Sequence, residues 1–245
     1  MNDVFTLLRS HRSIRKFTDE AVDDDTVAAI VACGTSAATS SNLQATTVIR
    51  VRDRDTRAEI ARIAGGQQHI VDCPVFLVWC ADVRRPGTAA ALAGATLVSG
   101  MTEQFIIATV DVALAAQNAV VAAESLGLGI CYIGAIRNDP QPVSELLDLP
   151  EHVYPVFGLC IGHPAQDPDV KPRLPIEVVL KEERYSDDSD EFAIKNYDET
   201  MRDYYRTRTG GTKNSCWSDE MAGLVGSERR AHMRRFLADR GFEMR

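Results

Sequence analysis

Residues 103–126 read EQFIIATVDVALAAQNAVVAAESL, and this stretch decides the class of fold. After Glu103 at its start, only Asp111 and Glu124 carry a charge, and alanine, the strongest helix former, is frequent. The composition predicts a long helix that is apolar nearly all round, and such a helix must be enclosed on most sides. We therefore expect a core helix, and we expect a second subunit to provide part of its cover.

Strands and shorter helices surround this helix in the sequence. Four segments have the apolar or β-branched composition of strands: ATTVIRV (45–51), PVFLVWCAD (74–82), ICYIG (130–134) and VYPVFGLCIG (153–162). Helical spacing or capping residues predict helices near 4–11, after Asp23, at 55–64, at 141–148 and at 191–206. Because helices and strands do not alternate regularly, an α+β domain is predicted and not a doubly wound sheet.

The overall composition excludes several classes of protein. The chain has 245 residues, 45% hydrophobic and 25% charged, which argues against a disordered or collagen-like chain. Its 27 basic and 35 acidic residues give a net charge of −8, so we expect neither a nucleic-acid partner nor an anionic membrane partner. The uncharged span 86–102 contains a proline and three glycines and is not expected to cross a membrane.

The cysteines and the first residues bear on location. The six cysteines, Cys33, Cys73, Cys80, Cys131, Cys160 and Cys216, contain no C-x-x-C pair. Four of the six lie in or beside apolar runs, where a thiol behaves as a small hydrophobe. This usage is typical of a reducing compartment. The opening MNDVFTLLRSHRSIRKF lacks the apolar segment and cleavage site of a signal peptide. A cytoplasmic location is therefore expected.

The character of the chain changes in its last quarter. A proline-rich loop at 163–175 is followed by an acidic stretch from Glu182 to Asp190, a helix and a basic final segment. We expect residues 1–181 to form the core. Residues 182–245 are expected to be a helical excursion of the same domain that wraps the core or a partner subunit.

Two basic clusters are candidates for binding an anion. Arg12 and Arg15 are three residues apart, so in a helical turn both guanidinium groups would project from one side, with Ser13 between them, as in a phosphate clamp. Lys171 and Arg173 flank a proline that would hold two cations close together. For each cluster the alternative is a solvated basic surface. The sequence has neither of the two common glycine-rich nucleotide-binding patterns, G-x-G-x-x-G and Walker A, and no G-x-S-x-G pattern of a serine hydrolase. It also has no zinc-binding spacing of His, Cys or carboxylate residues, so we expect no metal.

Several motifs, taken in order, carry a family resemblance. They are HRSIR (11–15), TSSNLQ (39–44), GGQQH (65–69), YIGAIRN (132–138), FGLCIGHP (157–164) and KPRLP (171–175), followed by DYYRTR (203–208) and WSD (217–219). In this order the chain resembles the oxygen-insensitive NADPH nitroreductase and NADPH-flavin oxidoreductase family over nearly its whole length.

The resemblance implies a fold and an activity. The implied fold is the nitroreductase fold, a mostly antiparallel central sheet flanked by helices, in an intertwined homodimer whose C-terminal extension embraces the partner. The implied cofactor is FMN, one in each of two sites at the interface, with NADPH preferred over NADH. The implied reaction is ping-pong hydride transfer to small-molecule acceptors such as nitroaromatics or quinones. The alternatives are a flavin reductase that supplies reduced FMN to a monooxygenase and a non-catalytic flavin-binding protein.

The resemblance also assigns site residues in this sequence. The implied FMN contacts are His11, Arg12, Ser13, Arg15, Thr39, Ser40, Ser41, Gln67, Tyr132, Ile133, Gly134, Ala135, Lys171 and Arg173, with segment 39–44 coming from the neighbouring subunit. The implied contacts to NADPH or acceptor are Asn42, Arg208 and Arg230. No side chain is expected to act as catalytic acid or base. Two positions depart from close relatives: Asn42 replaces an aromatic residue and Ala135 replaces a glycine.

Overall fold

The computed structural model describes residues 3–245, which form eleven helices and four strands besides short 3₁₀ turns. The elements are α1 (Asp3–Arg9), α2 (Asp24–Thr35), β1 (Thr46–Arg50), α3 (Arg54–Ile63), α4 (His69–Asp72), β2 (Val75–Asp82), α5 (Arg84–Leu92), α6 (Thr102–Ser125), β3 (Gly129–Ile133), α7 (Pro140–Leu146), β4 (Val153–Gly162), α8 (Ile176–Val179), α9 (Asp190–Arg208), α10 (Trp217–Val225) and α11 (Met233–Asp239). The α+β prediction is confirmed.

The four strands form one antiparallel sheet in the order β1-β2-β4-β3. All eight residues of β2 are buried, because both faces of this central strand are covered. Leu77 and Trp79 point toward a cluster that contains α2 and α6, whereas Phe76 and Val78 point toward a second cluster that contains α3, α4 and α7. This alternation explains why the strand is apolar throughout.

Helix α6 is the main helix of the first cluster, as its sequence predicts. Eight of its residues are buried. Within residues 3–245, α6 is the one helix long and apolar enough to cross a membrane by length and composition, but its buried residues pack in the core against α2 and the sheet. A stripe of four-residue spacing remains exposed on it: Ile106, Val110 and Leu114 are 48%, 48% and 43% exposed.

Helix α2 begins where the sequence predicts. Asp23 is its N-cap, and the Asp23 carboxylate accepts a hydrogen bond of 2.7 Å from the backbone N–H of Thr26. The hydrogen bond from the Thr26 hydroxyl lowers the pKa of Asp23 most, and the hydrogen bond from the Thr26 backbone N–H lowers it further. The acidic run 23–25 therefore marks the helix start for a local, sequence-encoded reason.

The described chain divides into two compact units. Residues 3–168 and His232–Arg245 form the first unit, and Asp169–Ala231 form the second. The segment 182–245 that we expect to be one excursion is therefore shared between them. Phe236, Leu237 and Phe242 belong to the core cluster of the first unit, and the Phe242 ring contacts Tyr154 edge-on at 4.9 Å between centroids. In the second unit, Tyr197, Met201 and Tyr205 of α9 form a small core of their own.

Candidate functional site

The segment that contains HRSIR is extended and lies beside β3. Ser13 forms a parallel bridge with Ile130, and the backbone N–H of Ile14 donates to the Ile130 carbonyl at 2.8 Å. This corrects the expectation of a helical turn, because pairing with a strand distant in sequence decides the backbone conformation here. Arg12 and Arg15 consequently lie in different surroundings and do not form a clamp within one turn.

His11 and Arg12 both face carboxylates. His11 Nδ1 lies 2.7 Å from Glu124 Oε1, and Arg12 Nη2 lies 2.5 Å from Asp167 Oδ1. Arg12, Glu124 and Asp167 line a cleft of about 580 Å³. The positive charge of Arg12 is thus already balanced locally, so this cleft is less suited to an anion than its arginine alone suggests.

Arg15 lies on a different side and has a free guanidinium group. It is exposed, and the structure shows no salt bridge for it within residues 3–245. Burial lowers the pKa of His69, and the nearby charge of Arg15 lowers it further, so His69 is neutral at pH 7. The site near Arg15 therefore offers one uncompensated positive charge to a ligand.

Cys131 is a residue of β3 that lies near both Arg15 and His69. Its Sγ lies 3.9 Å from His69 Nε2. Burial raises the pKa of the Cys131 thiol, while the charge of Arg15 and the hydroxyl of Ser13 act in the opposite direction. The two residues of the basic segment that point here, Ser13 and Arg15, thus share a small polar cluster with His69.

The GGQQH motif forms the turn between α3 and α4. Gly65 and Gly66 have φ values of +81° and +78°, a conformation that favours glycine and ends α3. Gln67 then donates from Nε2 to the carbonyl of Ala64 at 3.0 Å. The turn places Gln67 two residues before His69, near the cluster just described.

The YIGA motif lies at the end of β3, where the chain enters a 3₁₀ turn at Gly134–Asn138. No side chain caps the first backbone N–H groups of this turn. The Ile133 side chain is buried and the Tyr132 ring packs edge-on against Phe157 at 5.0 Å, so a ligand here would meet mainly backbone. A methyl group on Gly134 would meet only the flexible end of Arg137, at 3.2 Å.

Segment 39–44 has an unusual backbone. Ser41, Asn42 and Gln44 have φ values of 49°, 58° and 53°, all in the left-handed region. Gln44 Nε2 donates to Asn42 Oδ1 at 3.1 Å, so two amide side chains are paired at the surface of this loop. Thr39 is bonded to Asp111 of α6.

Lys171, Arg173 and Arg208 belong to the second compact unit. The Lys171 ammonium group lies 5.5 Å from the centre of the Tyr205 ring, and Arg173 donates from Nη1 to the Lys171 carbonyl at 3.1 Å. Arg208 is the last residue of α9, two residues beyond the end of the helix predicted at 191–206, and its Nη1 donates to the Tyr204 hydroxyl at 3.1 Å. Arg230 precedes α11, which begins at Met233, and has a φ of 53°.

The fold therefore brings part of the expected set together. Ser13, Arg15, Gln67 and the 132–135 turn share the region around the end of β3. Sequence reasoning did not select His69 or Cys131 as neighbours of this set, although His69 lies in a recognised motif. Asp111 was not selected either, although an acidic residue in the middle of an apolar helix is a sequence signal for a buried polar contact. Within residues 3–245 no group of three or more His, Cys, Asp or Glu side chains is arranged to hold a metal.

Comparison with known proteins identifies the family. The Nitroreductase family model matches residues 8–163, and the model of its C-terminal domain matches residues 171–245. The chain is 44% identical to the oxygen-insensitive NADPH nitroreductase of Salmonella typhimurium over the full length of both. It is 39% identical to an FMN reductase (NADPH) of Bacillus subtilis over 99% of both chains. Among solved structures, NfrA1 of B. megaterium superposes with a TM-score of 0.95 at 41% identity, covering 99% of this chain and all of the other.

This chain belongs to the nitroreductase family. The family resemblance in the sequence motifs is confirmed, and so is the nitroreductase fold.

Proposed function

We propose that the protein is an FMN-dependent NAD(P)H oxidoreductase. It transfers two electrons, as hydride, from NADPH in preference to NADH, to small acceptors such as nitroaromatics or quinones in a ping-pong reaction. The observation that supports this proposal most directly is the 44% sequence identity, over the entire chain, to a relative named an oxygen-insensitive NADPH nitroreductase.

The side chains at the end of β3 fit FMN by their chemistry. The pyrimidine edge of the reduced ring is stabilised by a cation, and Arg15 has a guanidinium group with no salt bridge among residues 3–245. A ribityl chain needs hydroxyl and amide partners, for which Ser13 and Gln67 are suited. The ring edge needs donors, and the uncapped N–H groups at the start of the 134–138 turn are candidates. A terminal phosphate needs cations, for which we propose Lys171 and Arg173 together with Arg12, whose guanidinium group would exchange Asp167 for the phosphate. His11 is a further proposed FMN contact.

When bound, FMN supplies the hydride chemistry, and the chain supplies binding and electrostatics. The charge of Arg15 stabilises negative charge that develops in the site. His69 stays neutral at pH 7 because burial and Arg15 lower its pKa, so it adds no second cation. The partly buried Tyr132 and Phe157 rings pack edge-on and support the end of β3. No side chain is required to abstract or donate a proton.

The test is anaerobic reduction. The purified protein is expected to be yellow with FMN, and addition of NADPH under nitrogen is expected to bleach its visible absorbance. A non-catalytic flavin-binding protein would keep its absorbance unchanged, which would overturn the proposal.

A flavin reductase is the second candidate function, because a 39%-identical relative bears the name FMN reductase. Both functions share the reduction by NADPH and differ in the acceptor. Steady-state turnover with free FMN as acceptor, compared with a nitroaromatic and a quinone, separates them. A kcat/KM for free FMN far above those for the other acceptors would assign the reductase function.

We also propose that the protein is a homodimer with sites at the interface. The exposed apolar residues of α6 are joined by Val4, Phe5 and Leu8 of α1, which are 54%, 56% and 49% exposed. Such a patch marks a protein contact. A second copy would cover it with an interface above ~2,000 Å², the range of obligate dimers. Sedimentation equilibrium tests this, and an FMN-loaded monomer would contradict it.

We further propose a cytoplasmic location, which the six free cysteines support.

Arg208 is proposed to bind the 2′-phosphate of NADPH, since arginine pairs with phosphate through two parallel hydrogen bonds and lysine does not. Arg208→Ala is expected to lower kcat/KM for NADPH by about 1.5–3 kcal/mol, and Arg208→Lys to lower it as well, with little change for NADH. Steady-state kinetics with both donors is the measurement. Equal losses with both would assign Arg208 to ordering α9 through Tyr204. Arg206→Ala, on the same helix end and paired with Asp203, is the matched control.

A further inference from the structure

Asp111 is a carboxylate buried inside the apolar helix α6, where it is 3% exposed. A buried carboxylate is unfavourable unless hydrogen bonds compensate it. Asp111 accepts three: from Thr39 Oγ1 at 2.5 Å, from the backbone N–H of Ser40 at 3.3 Å and from the backbone N–H of Ala45 at 3.1 Å. All three donors belong to segment 39–45, so among residues 3–245 the carboxylate of Asp111 accepts hydrogen bonds from this loop alone.

Thr39 extends the contact across the loop. Its hydroxyl donates to Asp111 and accepts the backbone N–H of Gln44 at 2.9 Å. Together with the bond from Ala45, this ties the beginning and the end of the loop to one carboxylate. The residues between, Ser40 to Leu43, are consequently held in a closed turn, in which the Leu43 N–H donates to the Ser40 carbonyl at 2.9 Å.

The loop needs such support because its backbone is strained. Ser41, Asn42 and Gln44 are not glycine, yet all three have positive φ values. Left-handed conformations of such residues persist only when their surroundings impose them, and they are concentrated at functional sites. Asparagine tolerates this conformation, but serine and glutamine adopt it rarely, so the backbone shape at Ser41 and Gln44 requires support from hydrogen bonds.

We propose that Asp111 is a positioning residue that acts through Thr39 to hold the loop in the strained shape in which Ser40, Ser41 and Asn42 meet flavin and acceptor. The inference rests on the proposed function. In it, the Thr39 hydroxyl, which donates to Asp111 and accepts from the Gln44 N–H, holds the two ends of the loop together. The proposal deepens the assignment of segment 39–44 by naming the group that fixes its shape.

The first variant is Asp111→Asn, which keeps the size of the side chain but replaces one acceptor oxygen with an NH₂ group. A single carbonyl oxygen cannot satisfy three donors. In the flavin-free protein, amide hydrogen exchange at Gln44 and Ala45 is expected to accelerate by about ten- to a hundredfold. In titrations with FMN, the Kd is expected to rise by about tenfold or more, the equivalent of one charge-assisted hydrogen bond.

The matched control is Thr109→Val, which removes a hydroxyl from the same helix. Thr109 bonds to Phe105 and Tyr154 and makes no bond to the loop. It is expected to leave both the exchange of Gln44 and Ala45 and the Kd of FMN unchanged. A general loosening of α6 would move both variants alike and would overturn the proposal.

A second pair of variants decides the matter if Asp111→Asn fails to fold. Thr39→Val removes the hydroxyl and is expected to reproduce the fast exchange and weak FMN binding, whereas Thr39→Ser keeps the hydroxyl and is expected to restore both. Fast exchange with unchanged FMN affinity would place the loop away from the flavin and overturn the inference. If the unaltered protein bound no FMN, the proposed function would be wrong. The inference would then be wrong as well, even if amide hydrogen exchange showed that Asp111 holds the shape of the loop.

Discussion

Arg15→Ala is expected to weaken FMN binding by about 1.5–3 kcal/mol, the contribution of a hydrogen bond to a charged group. The reason is that Arg15 is exposed, with no salt bridge among residues 3–245, so its charge is available to a ligand. Retention of flavin after dialysis, followed by a fluorescence titration of the stripped protein, measures the loss.

Lys16→Ala is the matched control, because it removes an equal, exposed charge from the neighbouring position. It is expected to retain FMN. The Arg15 variant also has a readout without flavin. One of the two causes that lower the pKa of His69 disappears, so this pKa is expected to rise toward its ordinary value in an NMR titration. Full FMN retention by Arg15→Ala would remove this residue from the proposed site.

Phe242→Ala is expected to lower the free energy of unfolding by about 3–5 kcal/mol, as is usual when a buried phenylalanine is truncated. Phe242 is 1% exposed and lies in the main core cluster, in edge-on contact with Tyr154. Chemical denaturation at fixed concentrations of protein and FMN measures the change, since both concentrations shift apparent stability.

Tyr185→Ala is the control for this substitution, because Tyr185 is 82% exposed and its truncation is expected to change stability by only about 0.5 kcal/mol. A small effect of Phe242→Ala would mean that the C-terminal segment is dispensable for the core. Such a result would support treating the whole of 182–245 as a peripheral excursion.

Elements with a local cause were predictable from the sequence. β2 is apolar because both its faces are covered, and α2 begins at an acidic cap, so composition and capping were sufficient. Helix α5 was not predicted, since Pro86 and Gly87 argue against a helix. Proline at the third position of α5 is tolerated because the first N–H groups of a helix have no intrahelical partner.

The site was less accessible to sequence reasoning, because its conformation depends on contacts between distant residues. The extended form of HRSIR comes from the bridge between Ser13 and Ile130, which are far apart in the chain. The same holds for the contact of His69 with Cys131 and for the bonds of Asp111 to segment 39–45. The motifs carried the family resemblance, which is confirmed, while spacing alone could not show how their segments pack.

The division of the first unit between residues 3–168 and 232–245 has a consequence for synthesis of the protein. Phe236, Leu237 and Phe242 complete the main core cluster, yet they are translated only after the whole of residues 169–231. While residues 169–231 are being made, the ribosome therefore carries a nascent first unit whose apolar surface lacks its final partners. Folding of that unit therefore cannot finish until residues 232–242 have left the ribosome, and until then its exposed apolar surface is prone to aggregation.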